Sequence, residues 1–496
     1  MDIAGGYILG FDQSTSGTKA MLFDAEGGAV GRADRAHAQK VSAQGWVSHD
    51  PDEIYGNLLA AAREVLETAG IPAGRVAGVG ISNQRETALV WDRKTGRPLC
   101  DAVVWQCARA EGICAELSEY SGMIKGRTGL PLSPYFPAAK IAWVLRNAGG
   151  SPAGAELCAG TMDSWLIYRL TSPGASGGMG GSFLTDWSNA SRTQLLNLRE
   201  LRWDSDICSL FGIRASWLPD IADSDADFGG TDLGGLLPAA VPFRGVFGDS
   251  HAALFGQGCH SKGMAKVTYG TGSSVMVNTG RSPIFRDRIA TSLAWGIGGE
   301  PCYVLEGNIN YTGAVIKWLV DEVGLLRSSR EAGTVAAMAN PADGAYLVPA
   351  FSGLGAPHWD SGARAILCNM ARSTGRAEIV RAAEQCIAYQ IADVVGAMRG
   401  EPDIFLSELR VDGSPTRDAY LMQFQSDLLD LPLSVPQSEE LSCIGAAYAA
   451  GLALGLYGRH VFERIQRTEY LPRMGADERA RLYAGWQAAV RMARSG

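Results

Sequence analysis

Two well-separated stretches of the chain repeat one local pattern. Tyr7-Ile8-Leu9-Gly10-Phe11-Asp12 is an apolar run, Gln13-Ser14-Thr15-Ser16-Gly17-Thr18 is a turn of small hydroxyl residues, and Ala20 to Phe23 is a second apolar run. Ala265-Lys266-Val267-Thr268-Tyr269-Gly270-Thr271-Gly272-Ser273-Ser274-Val275-Met276-Val277 again reads strand, small turn, strand. Each stretch predicts a β-hairpin. A hairpin that opens each half of a chain is what duplication of a domain leaves behind. The length of 496 residues agrees, because a single hydrophobic core stops growing at about 250–300 residues and longer chains divide. The division falls at Gly256 to Gly258, giving a first domain over 1–256 and a second over 257–496.

The surrounding pattern is α/β. A third strand is expected over Gly28 to Ala38. Asp50-Pro51-Asp52-Glu53 opens a helix with an N-cap Asp and Pro at its first position, running to about Ala69. Val76 to Ser82 and Thr87 to Trp91 read as two more strands, so the first half has a β-β-β-α-β order and a mixed sheet. Ala377 to Arg399 predicts a long helix. Gly445 to Leu456, short and rich in Ala and Gly, predicts a tightly packed core helix and not a membrane span. Thr171 to Ser182 reads as a surface loop without chemistry.

The net charge of −8 and the lack of any Lys/Arg run longer than a pair argue against nucleic acid or an anionic membrane as partner. An anionic ligand must therefore be held locally. The ten cysteines contain no C-x-x-C pair, which predicts reduced, mostly buried thiols and neither a zinc site nor a disulfide framework. The N-terminus has no basic region followed by a long apolar stretch, so a cytoplasmic protein is expected.

Turns of small hydroxyl residues suit polyphosphate, because backbone N–H groups and hydroxyls can approach it closely. Ser16, Gly17 and Thr18 offer this in the first turn and Thr271, Gly272 and Ser273 in the second, with Lys19 adding a positive charge. Neither turn fits the G-x-x-x-x-G-K-[ST] pattern, and either alone reads equally as an ordinary hairpin. Asp12 ends the first strand where a carboxylate can hold hydrated Mg²⁺ against phosphates, or simply cap a turn. Asp249, in Val246-Phe247-Gly248-Asp249-Ser250-His251, follows an apolar strand at the domain boundary and can accept a proton from a hydroxyl. His251 is the other basic group there, and a single histidine is more often structural. Gln84-Arg85-Glu86 follows a strand directly. Its adjacent donor and acceptor suit a vicinal diol, and Trp105 and Tyr135 can line the carbon face of a polyol. On a surface the same Arg–Glu pair would be an ion pair and nothing more. Polyphosphate donors, a metal carboxylate and a base are the parts that phosphoryl transfer to an alcohol requires.

Several longer motifs carry a resemblance. They are Gly80-Ile81-Ser82-Asn83-Gln84-Arg85-Glu86-Thr87, Val104-Trp105-Gln106-Cys107, Gly160-Thr161-Met162-Asp163-Ser164-Trp165-Leu166 and Thr185-Asp186-Trp187-Ser188-Asn189-Ala190-Ser191-Arg192-Thr193. Further along come Phe351-Ser352-Gly353-Leu354-Gly355-Ala356-Pro357, Leu409-Arg410-Val411-Asp412-Gly413 and Leu421-Met422-Gln423-Phe424-Gln425-Ser426-Asp427. In order and spacing the chain resembles the glycerol kinases of the FGGY carbohydrate kinase family from residue 7 to about 458. The resemblance implies two actin-like, ribonuclease-H-like domains with ATP and substrate meeting in the cleft between them. It implies that the first domain carries the substrate side and the second the nucleotide side. Arg85, Glu86, Trp105, Tyr135 and Asp249 match substrate-binding positions, with Asp249 also the general base, and Ser250 and Ser274 fall beside them. Asp12 matches the metal-associated Asp. Ser16, Lys19 and Thr271 match phosphate-contacting positions, and Gly313, Gly413, Ser414 and Asp418 fall where the nucleotide is held.

The implied activity is ATP- and Mg²⁺-dependent phosphorylation of a polyol, glycerol to glycerol 3-phosphate in the first instance. The alternatives are a kinase for a longer polyol or sugar, such as erythritol, threitol, a pentitol or a ketopentose, and a non-catalytic actin-like nucleotide-binding regulator. A polyol and MgATP are the expected partners, without nucleic acid or membrane, in a homo-oligomer, dimer or tetramer. The chain also departs from the family. Ser14, Gly17 and Lys19 stand where Gly, Ser and Arg are usual, and Lys cannot reproduce the Arg fork. Ser250 replaces Gln and Ser274 replaces Phe, which implies a wider, more polar pocket. Gly413-Ser414-Pro415-Thr416-Arg417-Asp418 replaces Gly-Gly followed later by Asn.

Overall fold

The computed structural model describes residues 5–148, 156–172, 180–399 and 404–494. In the first half, β1 (Tyr7–Gln13), β2 (Gly17–Phe23) and β3 (Ala29–Ala36) form an antiparallel run. α1 (Pro51–Ala69) follows, then β4 (Val76–Asn83), and much later β5 (Val241–Gly248) and α2 (Asp249–Gly256). β4 pairs parallel to β1 and β5 parallel to β4, so the sheet order is β5-β4-β1-β2-β3, with Gly230–Thr231 at the β5 edge. α1 starts as its sequence requires: the Asp50 carboxylate accepts from the backbone N–H groups of Asp52 and Glu53, and Gly70 closes the helix at φ 66°.

The second half repeats the plan. Its strands are β6 (Ala265–Tyr269), β7 (Ser273–Gly280), β8 (Ala290–Ile297) and β9 (Glu300–Ile309), followed by α3 (Gly313–Asp321), α4 (Arg376–Arg399), β10 (Leu409–Asp412), α5 (Ala419–Leu429), β11 (Leu433–Pro436), α6 (Leu441–Ala453) and β12 (Arg467–Tyr470). Their order is β8-β9-β7-β6-β10-β11-β12. The hairpin β6–β7 is extended by antiparallel β9 on one side and by parallel β10 and β11 on the other. The central five strands of the two sheets therefore match one for one, and the chain folds as a two-domain α/β protein.

Two features depart from the simple repeat. The expected strand after Val76–Ser82 forms over Ala88–Asp92, but it joins a separate five-stranded sheet with Leu157–Thr161 and Ala102–Val103. The cause is local: the chain breaks away from β4 at Gln84 to Glu86, and Glu86 takes a left-handed φ of 62°. The other departure is α6. Although it comes late in the chain, it packs on β1, β4 and β5 of the first sheet. Glycines allow this approach, since a Cβ on Gly80 would stand 2.5 Å from the Ala446 carbonyl oxygen and one on Gly245 2.3 Å from it. α2 and α6 touch backbone to backbone, a Cβ on Gly445 falling 2.0 Å from the Ala252 oxygen. Hence the Ala/Gly content that the sequence shows there. No described helix is long and apolar enough to cross a membrane. All ten cysteines are free thiols, eight of them buried. Part of the 171–182 loop, residues 173–179, lies outside the described residues.

Candidate active site

The break after β4 places Arg85 and Glu86 in the groove between the two sheets, both almost completely buried. Arg85 Nε donates to Asp249 Oδ1 at 3.1 Å. The Asp249 side chain is 35% exposed against 7% for Arg85, so the carboxylate faces the groove while the guanidinium lies beneath it. Asp249 is presented there because it is the first residue of α2, where the backbone N–H of Ser250 also reaches Oδ1. Ser250 itself is half-buried. Trp105 and Tyr135 meet edge to face with ring centroids 5.7 Å apart, and Trp105 Nε1 is fixed by Thr15 Oγ1 at 2.9 Å. Burial pushes the Tyr135 phenol up, so it remains a neutral hydroxyl. His251 is sealed at 0% exposure, and burial followed by the Arg85 charge pushes its pKa well below the ordinary value. A buried neutral ring next to Ser292 cannot reach a ligand in the groove.

Asp12 lies at the end of β1 against the same groove. Burial, opposed by Lys19 and the hydrogen bond from Ser82 Oγ at 2.8 Å, pushes its carboxyl up to about 6. Asp249 is near enough to add repulsion. A buried carboxyl with its nearest cation, Lys19, 4.0 Å away is chemically suited to a divalent cation, which would favour its ionised form. The rest of the first turn divides sharply. Ser16 is exposed at the tip. Gly17 is required by crowding, a Cβ there falling 2.5 Å from the Arg35 carbonyl oxygen. Thr18 is buried, its hydroxyl 2.9 Å from His37 Nε2 and turned away from the groove. Lys19 Nζ donates to Glu440 Oε2 at 2.7 Å, and the other oxygen of Glu440 is held by Arg32 at 2.7 Å.

The second turn faces a pocket of about 870 Å³, lined by Gly270, Thr271, Gly313, Ser414 and Asp418 among others. Four residues singled out in the sequence thus meet in one cavity. Thr271 is exposed, and Gly272 lets the turn lie on β9, since a Cβ there would be 2.3 Å from the Ile309 oxygen. Gly413, at φ 98°, lies against β6, a Cβ there falling 1.9 Å from the Tyr269 oxygen. Ser414 stands exposed at the rim. The Asp418 carboxylate is committed to structure: it caps α5 through the N–H groups of Tyr420 and Leu421 and accepts from Gly333 N at 2.8 Å. Ile316, Val320, Ile387 and Leu421 give the cavity apolar walls. Glu384 on α4 also lines it, buried and with Oε2 unpartnered. Burial, with the Asp418 charge added, pushes its carboxyl up to about 8.

A family model for the N-terminal domain of FGGY carbohydrate kinases matches residues 7–256, and the C-terminal domain model matches 265–454. The chain belongs to the FGGY family of carbohydrate kinases. This kinase is 45% identical to glycerol kinase 1 of Thermotoga maritima over 98% of its own length and 99% of the relative's. It is 44% identical to glycerol kinase of Alkalilimnicola ehrlichii over 98% of both chains. The crystal structure of Plasmodium falciparum glycerol kinase with ADP superposes with a TM-score of 0.90 at 32% identity, covering 99% of this chain and 98% of that one.

Two buried residues next to Arg85 had been given no role. Arg192 Nε donates to Glu86 Oε1 at 2.6 Å. Glu306, on β9 of the second half, takes Arg85 Nη1 at 3.0 Å and lies 2.6 Å from Arg192 Nη1. Ser274, read in sequence as a pocket wall, donates its hydroxyl to Glu306 Oε1 at 3.0 Å. Arg192 lay within a quoted motif. Nothing local marks Glu306, which reads as one of three polar residues, with Glu300 and Asn308, in a mostly apolar strand.

Proposed function

We propose that this kinase transfers the γ-phosphoryl group of ATP to a primary hydroxyl of glycerol, making glycerol 3-phosphate. One observation carries the reading: Asp249, partly exposed in the groove, is hydrogen-bonded to the sealed Arg85 next to Glu86, with Asp12 close enough to repel it. In this reading Arg85 and Glu86 orient adjacent hydroxyls while Trp105 and Tyr135 cover the carbon chain. Asp249 accepts the proton of the attacking hydroxyl at its carboxylate, a role worth about 10²–10⁴ in rate. Asp12 would hold the Mg²⁺ that accompanies the nucleotide, and the metal would neutralise charge on the phosphates. The cavity behind Thr271 would take the nucleotide, its volume falling within the range of about 300–1,000 Å³ usual for ligand pockets. The first domain over 1–256 would supply the polyol side and the second over 257–496 the nucleotide side, within the cytoplasm.

Glycerol is favoured over a four- or five-carbon polyol by the fate of the two serines. The Ser274 hydroxyl is spent on Glu306 and offers little to an extra substrate hydroxyl, which leaves only Ser250 free to do so. The test is ADP release with MgATP and a panel of glycerol, erythritol, threitol, pentitols and ketopentoses. Glycerol should give the highest kcat/KM. No polyol-dependent ADP release at all would leave the non-catalytic reading standing, and a longer polyol outperforming glycerol would restore the wide pocket.

A further inference from the structure

Glu306 is 1% exposed, and its carboxylate is enclosed by protein groups. Arg85 meets it with both terminal nitrogens, Nη1 donating to Oε2 at 3.0 Å and Nη2 lying 2.9 Å from Oε1. Ser274 Oγ donates to Oε1 at 3.0 Å, and Arg192 Nη1 forms an ion pair with Oε2 at 2.6 Å. Beyond these, Arg85 continues to Asp249 and Arg192 to Glu86. Glu86, Arg192, Glu306, Arg85 and Asp249 therefore form one chain of alternating sign. Its middle member alone belongs to the second half, and it touches no ligand-accessible space. Burial opposes the charge on Glu306, but the two guanidinium groups outweigh it and hold the carboxyl well below the usual range. It is a permanent anion at any working pH.

The strand that carries Glu306 also builds the other pocket. β9 ends at Ile309, whose carbonyl oxygen backs Gly272 of the second turn. Three residues later the Thr312 hydroxyl lies 2.9 Å from Ser273 Oγ, and α3 begins at Gly313 on the cavity wall. A displacement of Arg85 therefore has a rigid route to the nucleotide cavity through one β-strand.

We propose that Glu306 is the positioning residue that aims the Arg85 fork at the polyol and, through β9, couples polyol binding to nucleotide binding. The proposal rests on the reading of Arg85 and Glu86 as the polyol site. A polyol that draws on Arg85 loads Glu306, and Glu306 sets the strand on which the phosphate-side turn lies. Coupling of this kind is reciprocal. Glu306→Asp keeps the charge but withdraws the carboxylate by one methylene, and Ser274→Ala removes one hydrogen bond without altering charge.

The experiment measures ADP binding by calorimetry with and without saturating glycerol, alongside steady-state kinetics, in the wild type, S274A, E306D and R85A. In the wild type glycerol should tighten ADP binding by about fivefold or more. S274A should reduce that factor, and E306D should bring it to within about twofold of unity while raising the glycerol KM about tenfold and leaving kcat within about threefold. A merely structural role would lower the melting temperature of E306D and leave both KM and the coupling factor in place. If E306D does not fold, S274A carries the test alone, and an unchanged coupling factor in it overturns the proposal. Wild-type values in both variants, in a protein where R85A abolishes glycerol turnover, overturn it as well. An R85A enzyme with an unaltered glycerol KM would instead overturn the polyol site on which the proposal stands.

Discussion

The two hairpin turns occupy the same place in the two matching sheets, yet they are held by different means. The first turn is wired by charge: Lys19 is engaged by Glu440, Asp12 is buried beside it, and the neighbouring groove holds Arg85, Glu86 and Asp249. The second turn is shaped by backbone: Gly270, Thr271 and Gly313 border a cavity of mixed polar and apolar lining, and the Ser273 hydroxyl bonds to that of Thr312. In the proposed reading, one half would orient a hydroxyl and its base by ion pairs, and the other would cradle an extended ligand by close approach. Topology was copied and chemistry diverged, because the turns are fixed by strand pairing while the residues facing the groove are free to change.

That contrast can be broken most strongly at Asp249. Asp249→Asn should lower turnover by about two orders of magnitude or more while ADP affinity, read by calorimetry, stays close to wild type. Normal turnover would place the charged groove outside the chemistry. On the other side, Gly272→Ala forces a Cβ toward the Ile309 oxygen 2.3 Å away. It should weaken ADP binding about tenfold and lower stability modestly, with glycerol binding to the free enzyme less affected. Equal damage to both ligands would mean that the two halves do not divide the work in this way.

A smaller effect is expected at Thr18, the member of the first turn that points inward to His37. Thr18→Val should cost about 1 kcal/mol in urea unfolding and leave the ATP KM within about twofold. A large rise in KM would return Thr18 to the phosphate site. A further effect, one of pH dependence, concerns Lys140, sealed beneath Tyr135, whose carbonyl oxygen it contacts. Burial pushes this amine down to about 7, with Glu86 only partly opposing. The folded protein then binds fewer protons than the unfolded chain between about pH 7 and 10.5, so the contribution of this group is full above the unfolded value and is lost as pH falls to 7. The melting temperature of the wild type relative to Lys140→Met should therefore rise across that window. A constant difference would show that Lys140 is charged in the fold.

Much of this was legible in sequence where the controlling forces are local. The hairpin at Tyr7 to Phe23, the Asp50 cap of α1 and the long helix ending at Arg399 formed where apolar periodicity and capping put them. Family motifs pointed to Arg85, Glu86, Trp105, Tyr135 and Asp249, and these meet in one groove. What was not legible is how the members of a motif divide between ligand and protein. Thr18 and Lys19 are neighbours in the chain, but alternation along β2 turns one toward His37 and the other toward Glu440. Ser274 looked like an emptied pocket wall because its partner, Glu306, belongs to another strand.

By itself the sequence determined the two-domain α/β plan, the family and the absence of a disulfide framework, and it offered candidates for handling phosphate, metal and hydroxyl. Each depends on short-range pattern or on residue chemistry, which the chain carries wherever it is placed. Only the tertiary structure decided that α6 crosses to pack on the first sheet, that Glu440 from the second half holds Lys19, and that Glu306 joins Arg85 to Arg192. Those contacts join residues far apart in the chain, and a buried charge has no identifiable partner until the fold has removed the water that would otherwise solvate it.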